Sequence, residues 1–184
     1  ARLVPKKGLD VLLRAMAQLI RADSTLRLEV VGEGPEKDAL RTLASELQLD
    51  GRVAWHGAQD NHTVSGMMGR ATLFVLPCRV DAAGDRDGIP VVLIEAMACG
   101  RCVVTGDLVT IRELVIHDQT GWLVAPGDVD ALAHGLAVLL REPERRRRLS
   151  QAGRRHVEQA FSLTRNVARL QEAFRRAVAA DRLP

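Results

Sequence analysis

Glu95 is the only charged residue in the nine-residue segment 91–99, which is otherwise apolar. A helix that is apolar on every side is usually buried, and a buried carboxylate is costly unless it is paired or hydrogen-bonded. Glu95 is therefore expected either to meet a structural partner or to face a cleft in which a ligand supplies hydrogen-bond donors. Two adjacent ribose hydroxyls are suitable donors, because one ionised carboxylate accepts several hydrogen bonds.

The segment that leads into this helix, residues 85–90 (Asp-Arg-Asp-Gly-Ile-Pro), has the features of an anion site. The first N–H groups of a helix have no partner within the helix, and the helix dipole is positive at that end. Gly88 would allow a ligand to come close to the backbone. Asp87 has an alternative interpretation as the N-cap of the helix.

Three cationic residues, Arg2, Lys6 and Lys7, lie at the start of the chain, just before Gly8 and a helical pattern. Cations beside a helix N-terminus can clamp a diphosphate. The alternative interpretation is an exposed basic turn without a ligand.

Other motifs carry weaker signals. Residues 32–35 (Gly-Glu-Gly-Pro) lack the third glycine of a dinucleotide-binding turn and indicate a strand-to-helix turn that lines a cleft. The Cys-x-x-Cys of residues 99–102 follows a helix, so no helix N-terminus activates it and inert apolar thiols are expected. Cys78 is the only other cysteine, and the five histidines are scattered. Neither a zinc site nor a Ser-His-Asp or Cys-His catalytic group is therefore expected.

The elements that must position these residues alternate between strand and helix. Apolar periodicity predicts strands at 28–31, 53–55, 73–76, 102–105 and 122–124. It predicts helices at 9–20, from Pro35, after the cap Asp60, at 90–99, around 111–115, after the cap Asp128, and twice more near the end. This alternation predicts an α/β fold, a doubly wound parallel sheet with helices on both faces. Ligands of such sheets bind at the carboxyl ends of the strands.

Composition narrows the function classes. The 184 residues are 47% hydrophobic and 27% charged, which suits one globular domain or lobe. Aromatic residues make up only 3%, which disfavours a protein that stacks single-stranded bases. No apolar run approaches the ~18–20 residues of a membrane helix, and no signal-peptide pattern is seen at Ala1. Three cysteines, an odd number, favour the reducing cytoplasm.

Charge is distributed unevenly along the chain. Residues 141–184 hold 12 Lys and Arg against 5 Asp and Glu, a net charge of +7, whereas residues 1–140 carry −4. A basic tail can face nucleic acid, an anionic membrane or acidic substrates, although a solvated helix face is the commoner explanation.

Together these motifs resemble a known family. Segment 84–100 is similar to the donor-site segment of family-4 retaining glycosyltransferases of GT-B fold, and segment 2–9 resembles the opening of their second lobe. Segments 111–114, 121–124 and 126–128 follow the family pattern in order. The resemblance implies that residues 1–184 form the carboxy-terminal donor-binding lobe, with a Rossmann-like core at 1–140 and closing basic helices at 141–184. It also implies that the amino-terminal, acceptor-binding lobe is absent from this chain.

The resemblance assigns roles to individual residues. Arg2 and Lys7 match the basic pair on the donor diphosphate, and Glu95 matches the acid that holds the ribose hydroxyls. Asp87 matches the acid beside the donor sugar, where the family usually has Glu. The remaining expected contacts come from the backbone, at the base from Gly57 and Ala58 and at the sugar and phosphates from Gly88 and Ile89.

The implied activity is transfer of a sugar from a UDP- or GDP-sugar to a glycan or lipid-linked acceptor. No cofactor or metal is expected, because cations would replace Mg²⁺ at the diphosphate. The expected partners are the nucleotide-sugar donor and the missing lobe, with peripheral contact to the inner face of a membrane as an option and no nucleic acid. Two alternatives stay open, a non-enzymatic nucleotide- or RNA-binding module and a nucleotide-sugar 2-epimerase of similar fold.

Overall fold

The computed structural model describes residues 1–180, in which strands and helices alternate. The strands are β1 (Leu28–Val31), β2 (Val53–Gly57), β3 (Phe74–Leu76), β4 (Val103–Gly106) and β5 (Trp122–Val124). The helices are α1 (Leu9–Leu19), α2 (Lys37–Glu46), α3 (Asn61–Arg70), α4 (Val91–Ala98), α5 (Val129–Arg141), α6 (Pro143–Ala160) and α7 (Leu163–Ala180). A single 3₁₀ turn, Pro5–Lys7, precedes α1.

The strands are parallel and form two hydrogen-bonded groups, β1-β2 and β3-β4-β5. Val30 pairs with Trp55 in the first group, and Val75 pairs with Val104 in the second. No ladder joins β1 to β3 within residues 1–180. A cavity of about 610 Å³ lies between these two strands instead. The predicted α/β fold of parallel strands flanked by helices is confirmed, with the strands in two hydrogen-bonded groups.

Helices cover both faces of the larger sheet. Every residue of β4 is buried, as expected for a central parallel strand. Val103 belongs to an apolar cluster with Leu93 of α4, whereas its neighbour Val104 belongs to a second cluster with Leu12 of α1 and Leu132 of α5. Since successive side chains of a strand point to opposite faces, α4 lies on one side of the sheet and α1 with α5 on the other.

Most predicted elements are present, and two differ. The helix expected from Pro35 begins at Lys37, because Pro35 belongs to the turn before it. The short helix expected around 111–115 is a series of turns. There the hydroxyl of Thr120 accepts the Ile116 N–H at 2.8 Å and lies 3.3 Å from the Leu114 carbonyl. These side-chain bonds compete with the helical pattern.

The predicted caps are confirmed. The Asp60 carboxylate accepts the Thr63 N–H at 2.8 Å, and the Asp128 carboxylate accepts the Ala131 N–H at 2.8 Å. Each bond satisfies one of the N–H groups that a helix leaves free at its start.

The run of four arginines in α6 binds within the protein. Arg145 pairs with Asp118 at 2.7 Å and lies over the ring of Trp122, 4.8 Å from its centroid. Arg148 also pairs with Asp118, at 2.9 Å. Arg146 donates to the Leu139 carbonyl near the end of α5, and Arg147 pairs with Glu144. Arg145, Arg146 and Arg148 therefore fasten α6 to the body of the domain, whereas the Arg147 pair lies within α6.

None of the helices in residues 1–180 is both long enough and apolar enough to cross a membrane. Residues 181–184, the end of the expected closing segment, lie outside the described residues.

Candidate functional site

The first residues of the chain lie against the carboxyl end of β1. The Ala1 ammonium donates to the Val31 carbonyl at 2.7 Å, and the Leu3 N–H donates to the Glu33 carbonyl at 2.9 Å. A Cβ at Gly32 would overlap the Ala1 carbonyl, and one at Gly34 would overlap Leu3. The glycines of the 32–35 turn are therefore explained by this close approach of two backbones, which carries Arg2 to the same edge.

A second close approach fixes the end of β3. A Cβ at Gly8, whose φ is +67°, would overlap the Pro77 carbonyl, and a Cβ at Gly106 would overlap the Cys78 carbonyl. The Arg79 N–H donates to the Lys6 carbonyl at 2.9 Å. The Lys6–Lys7 turn is thus held against the loop that follows β3, at the carboxyl edge of the sheet.

The two lysines pair with the acids of the loop before α4. Lys7 Nζ lies 2.8 Å from Asp87 Oδ2, and both side chains are largely buried, at 12% and 14% exposure. Lys6 Nζ lies 2.8 Å from Asp85 and 3.7 Å from Asp87. Thr110 donates to the Asp87 backbone carbonyl at 2.9 Å. Lys6 and Lys7 are therefore largely buried and paired with acids, unlike the side chains of an exposed basic turn.

Asp87 is not the N-cap of α4. Pro90 occupies that position and no side chain caps the helix. Within residues 1–180, the backbone N–H groups of Val91 and Val92 have no hydrogen-bond acceptor. A Cβ at Gly88 would meet no atom within 4 Å, and Ile89 is half-buried beside it. The start of α4 therefore presents free N–H groups next to open space, which is the arrangement that binds an anion.

Glu95 is exposed, so the expectation of a buried carboxylate is wrong. Although α4 is almost entirely apolar in sequence, it has one buried face and one exposed face. Leu93, Ala96 and Met97 are buried, whereas Val91, Glu95 and Ala98 are exposed one helical turn apart. The Glu95 carboxylate makes no hydrogen bond among the described residues, which leaves its oxygens open to an external donor.

A positive charge and a negative charge both act on the amino group of Ala1. The pKa of the Ala1 ammonium is lowered by burial and by the positive charge of Lys7, whereas the negative charge of Glu95 opposes this shift. Lys7 and Glu95 therefore both act on the charge of Ala1, with opposite signs. Arg2 follows Ala1, is exposed, and has no ion pair within residues 1–180.

A neutral thiol lies beneath the ion pair. Cys78 Sγ is 3.7 Å from Asp87 Oδ2. Burial, and then the negative charge of Asp87, raise the pKa of this thiol to about 12. Burial raises the pKa of Cys102 to about 12 as well. Cys78 and Cys102 are therefore buried neutral thiols, and Cys99 at the end of α4 is half-buried and free.

Gly57 and Ala58 lie at the neighbouring end of β2. The Gly57 carbonyl accepts the Gly32 N–H at 2.8 Å, and Gly57 has a φ of +67°. A Cβ at this glycine would come within 2.9 Å of the Glu33 carboxylate. Ala58 is exposed. Gly57 is bonded to Gly32, and Gly32 lies against Ala1. Gly57 and Ala58 are therefore on the same side of the protein as Ala1, whose charge is affected by Lys7 and Glu95.

Sequence reasoning missed three contributors, namely the pairing of Lys6 with both acids, the thiol of Cys78 and the hydroxyl of Thr110. The lysines and their acids are 79 and 80 residues apart, so no local spacing could reveal the pairs. The only sequence signal for a role of Thr110 was its position directly before segment 111–114, which follows the family pattern. Within residues 1–180, no three His, Cys, Asp or Glu side chains are grouped as metal ligands.

Comparisons with known proteins identify the family of this chain. Residues 1–156 match the family described as glycosyl transferases group 1. The chain is 35% identical, over 94% of its length and 45% of the relative, to a GDP-mannose-dependent alpha-(1-6)-phosphatidylinositol monomannoside mannosyltransferase of Mycolicibacterium smegmatis.

Solved structures show the same fold. Anabaena Alr3699/HepE, crystallised with UDP, matches 95% of this chain and 46% of its own with a TM-score of 0.84 and 23% identity. The C-terminal domain of a group 1 glycosyl transferase from Francisella tularensis, LpcC, matches 88% of this chain and 83% of its own with a TM-score of 0.76 and 20% identity. The chain spans about half the length of the curated relative and less than half of the HepE chain. By the match over residues 1–156, the chain belongs to the group 1 family of glycosyl transferases.

Proposed function

We propose that this chain is the carboxy-terminal donor-binding lobe of a retaining glycosyltransferase. The enzyme would transfer a sugar from a UDP- or GDP-sugar to a glycan or lipid-linked acceptor. The observation that carries the proposal is that Lys7 is paired with Asp87 just before the uncapped start of α4, while the Glu95 carboxylate lies unpartnered on the exposed face of the same helix. Support comes from HepE, which was crystallised with UDP, and from the Mycolicibacterium relative, whose name states a GDP-mannose donor and a phosphatidylinositol mannoside acceptor.

The groups at this edge match the parts of a nucleoside diphosphate. Glu95 would accept hydrogen bonds from the two ribose hydroxyls, and the backbone at Gly57 and Ala58 would lie against the base. Arg2, Lys7 and the first N–H groups of α4 would face the phosphates, with Gly88 and Ile89 beside the sugar. Negative charge grows on the diphosphate as the glycosidic bond breaks, so these fixed positive groups would stabilise the transition state more than the ground state. We propose that they serve without a metal ion.

Asp87 would have two roles in the proposed site, first as the partner of Lys7 and then beside the sugar. It holds Lys7 at 2.8 Å in the described structure, so an arriving phosphate would share or replace it as the partner of Lys7. Its carboxylate would then be released toward the sugar beside Gly88. The side chain is one methylene shorter than the Glu usual in the family, and Lys6, 3.7 Å from Asp87 Oδ1, would remain as its partner.

We also propose that the rest of the enzyme supplies the acceptor site, since the chain covers only part of its relatives. The reaction would take place in the cytoplasm, because the three cysteines are free. Peripheral membrane contact would be made through the exposed apolar and arginine residues of α7, among them Leu170, Phe174, Arg169 and Arg176.

The test is calorimetric titration of the chain with UDP, GDP, uridine and guanosine. Glu95→Gln keeps the volume of an exposed side chain, so the fold should persist, but it removes the charge that faces the ribose. A hydrogen bond to a charged group contributes roughly 1.5–3 kcal/mol, so affinity should fall about tenfold to a hundredfold. The loss should be equal for nucleosides and diphosphates.

Glu46→Gln is the matched control, because Glu46 is also exposed on a helix and makes no side-chain hydrogen bond within the described residues. This variant should bind as the unmodified chain does. Unchanged affinity in a folded Glu95→Gln protein would remove Glu95 from the site. Absence of any binding of UDP and GDP to the unmodified chain would contradict the proposed function.

A further inference from the structure

Lys6 lies between two carboxylates that belong to one loop. Its Nζ is 2.8 Å from Asp85 Oδ2 and 3.7 Å from Asp87 Oδ1. The other oxygen of Asp87, Oδ2, is 2.8 Å from Lys7 Nζ. We propose that Lys6 is a positioning residue, which leaves Asp85 and becomes the partner of Asp87 when a diphosphate engages Lys7. The inference rests on the proposed function only in that Lys7 is taken to meet the phosphates.

Asp87 needs a second partner because its carboxylate is largely enclosed, at 14% exposure. If a phosphate takes Lys7, the contact left to Oδ2 among the described residues is the thiol of Cys78, a weak donor 3.7 Å away. A charge that loses its partner in such a position is costly, because little water can reach it to replace the lost interaction. The approach of Lys6 to Oδ1 would remove most of this cost.

Asp85 can be released at little cost. Its side chain is 60% exposed, so water solvates the carboxylate once Lys6 has gone, and exposed ion pairs contribute little to stability. The turn that carries Asp85 has its own hydrogen bonds. Asp81 Oδ1 accepts the N–H groups of Ala83 and Asp85 at 2.9 Å each, and the Asp81 N–H donates to the Asp85 carbonyl at 2.9 Å. Once Lys7 is engaged elsewhere, Asp87 is therefore the stronger competitor for Lys6.

Only the side chain of Lys6 has to move. Its backbone carbonyl accepts the Arg79 N–H at 2.9 Å, and Arg79 Nε donates to the neighbouring Pro5 carbonyl at 3.0 Å. Thr110 likewise holds the Asp87 backbone carbonyl at 2.9 Å. Shortening the 3.7 Å separation to the 2.8 Å of the present bond to Asp85 lies within the reach of a flexible four-carbon stem. Asp87 would thus keep its orientation while Lys7 serves the diphosphate.

The pKa of Asp85 reports the position of Lys6. In the chain without ligand, the hydrogen bond from Lys6 holds the pKa of the Asp85 carboxyl below its ordinary value. NMR titration of the Asp85 carboxyl carbon compares the free chain with the UDP-saturated chain and with Lys7→Met, which takes the cation from Asp87 without any nucleotide. Each state is measured again with Lys6→Met added, which gives the direct effect of the changed charges on Asp85.

We expect the pKa of Asp85 to rise toward its ordinary value both in the UDP-saturated chain and in Lys7→Met. In the proteins that carry Lys6→Met, this pKa should be close to its ordinary value in every state. Lys7→Gln replaces Lys7→Met if that variant does not fold. A pKa of Asp85 that stays low in the UDP-saturated chain and in the Lys7 variant would overturn the proposal, since Lys6 would not have left Asp85.

Calorimetric titration with UDP and GDP gives a second test. Lys6→Met should weaken binding about three- to tenfold, because Asp87 then holds Lys7 without an alternative partner. In the Asp87→Asn background, the same substitution should have little effect. An equal loss of affinity in both backgrounds would contradict the proposal, because Lys6 would then act on the phosphates directly.

Arg154→Met is the control for the loss of one positive charge. Arg154 lies in α6, is exposed and pairs with Glu158 at 2.8 Å. This variant should bind UDP and GDP as the unmodified chain does. A loss of affinity as large as that of Lys6→Met would show that net charge, and not the exchange of partners, causes the effect.

The Lys7 variant separates this inference from the proposed function, because its measurement needs no nucleotide. A rise in the pKa of Asp85 in Lys7→Met, without any binding of UDP or GDP to the unmodified chain, would contradict the donor site and support the exchange. Binding of either nucleotide with an unchanged pKa of Asp85 would contradict the exchange alone.

Discussion

At the residue scale, the ion pair between Asp87 and Lys7 is the contact that most affects the proposed donor site. The pair is largely buried and lies beside the free N–H groups of α4. In the proposed donor site, Lys7 would be the partner of the diphosphate. Binding of the diphosphate would therefore compete with Asp87 for the Lys7 ammonium group.

Asp87→Asn should consequently bind UDP and GDP more tightly, roughly three- to tenfold, or about 0.7–1.4 kcal/mol. The same change should lower the free energy of unfolding by about 1–3 kcal/mol, because Lys7 loses its counter-charge in a site between exposed and buried. Calorimetry and urea unfolding measure the two effects. Uridine and guanosine, which carry no phosphate, serve as the control and should bind as before. Weaker diphosphate binding by a folded Asp87→Asn protein would show that the carboxylate helps to hold the donor.

The buried thiols of Cys78 and Cys102 make stability depend on alkaline pH. Their pKa values are raised in the folded chain from 9.0 to about 12, so folding favours the neutral thiol. The resulting gain in the free energy of unfolding is complete below pH 9 and is lost as pH rises from about 9 toward 12. Over this range each thiol lowers the free energy of unfolding by up to about 1.4 kcal/mol per pH unit.

The double variant Cys78→Ala Cys102→Ala should therefore lose less stability than the unmodified chain between pH 9 and 10.5. Urea unfolding at several pH values measures the difference, with pH 7–8 as the reference range in which the two curves should run parallel. Identical slopes above pH 9 would mean that the two thiols do not titrate with unfolding.

At the scale of single elements, the end of β3 is held between two glycines. Gly8 approaches Pro77 and Gly106 approaches Cys78, so close backbone contacts help to set the position of the Lys6–Lys7 turn relative to the residues that follow β3. Gly106→Ala should lower the free energy of unfolding by about 2–4 kcal/mol, because a methyl group would collide with the Cys78 carbonyl just after β3.

Gly69→Ala in α3 is the matched control for that substitution. A Cβ at Gly69 meets nothing within 4 Å, and alanine is the better helix former by about 0.5–1 kcal/mol. Urea unfolding should therefore show opposite signs for the two variants. A Gly106→Ala protein as stable as the parent would rule out the close approach of β3 and β4.

The sequence predicted most elements and their order, because apolar periodicity and helix caps are local signals. Asp60, Asp128 and the apolar strand before Pro77 show this clearly. The sequence could not predict the exposure of Glu95, because its eight apolar neighbours do not indicate which face of a short helix is left uncovered. The pairing of Lys6 and Lys7 with Asp85 and Asp87 depends on tertiary contacts. The roles of these residues at a ligand came only from the resemblance to a family and stay predictions.

At the scale of the whole molecule, the proposed function makes the described residues one side of a cleft. The chain should fold and bind UDP or GDP weakly, yet transfer no sugar, because the acceptor has no site and the donor is enclosed on one side only. Incubation with UDP-glucose or GDP-mannose and a panel of glycan and lipid-linked acceptors tests this, with mass spectrometry of the products. Efficient transfer by this polypeptide alone would contradict the division of labour between two lobes.

The internal pairing of Arg145, Arg147 and Arg148 also bears on the alternative of RNA binding. Arginines held by Asp118 and Glu144 are less available to phosphates than the net charge of the tail suggests. The comparisons give no support to an RNA-binding module.

The two-faced character of α4 has a consequence for how this fold diversifies. Leu93, Ala96 and Met97 are committed to the core, whereas Val91, Glu95 and Ala98 share an outward face. Substitutions at Val91 and Ala98 should therefore leave the packing of the core unchanged, and they would alter only the surface that surrounds Glu95 in the proposed donor site. One short helix thus separates the residues that hold the domain together from those that are free to face a ligand.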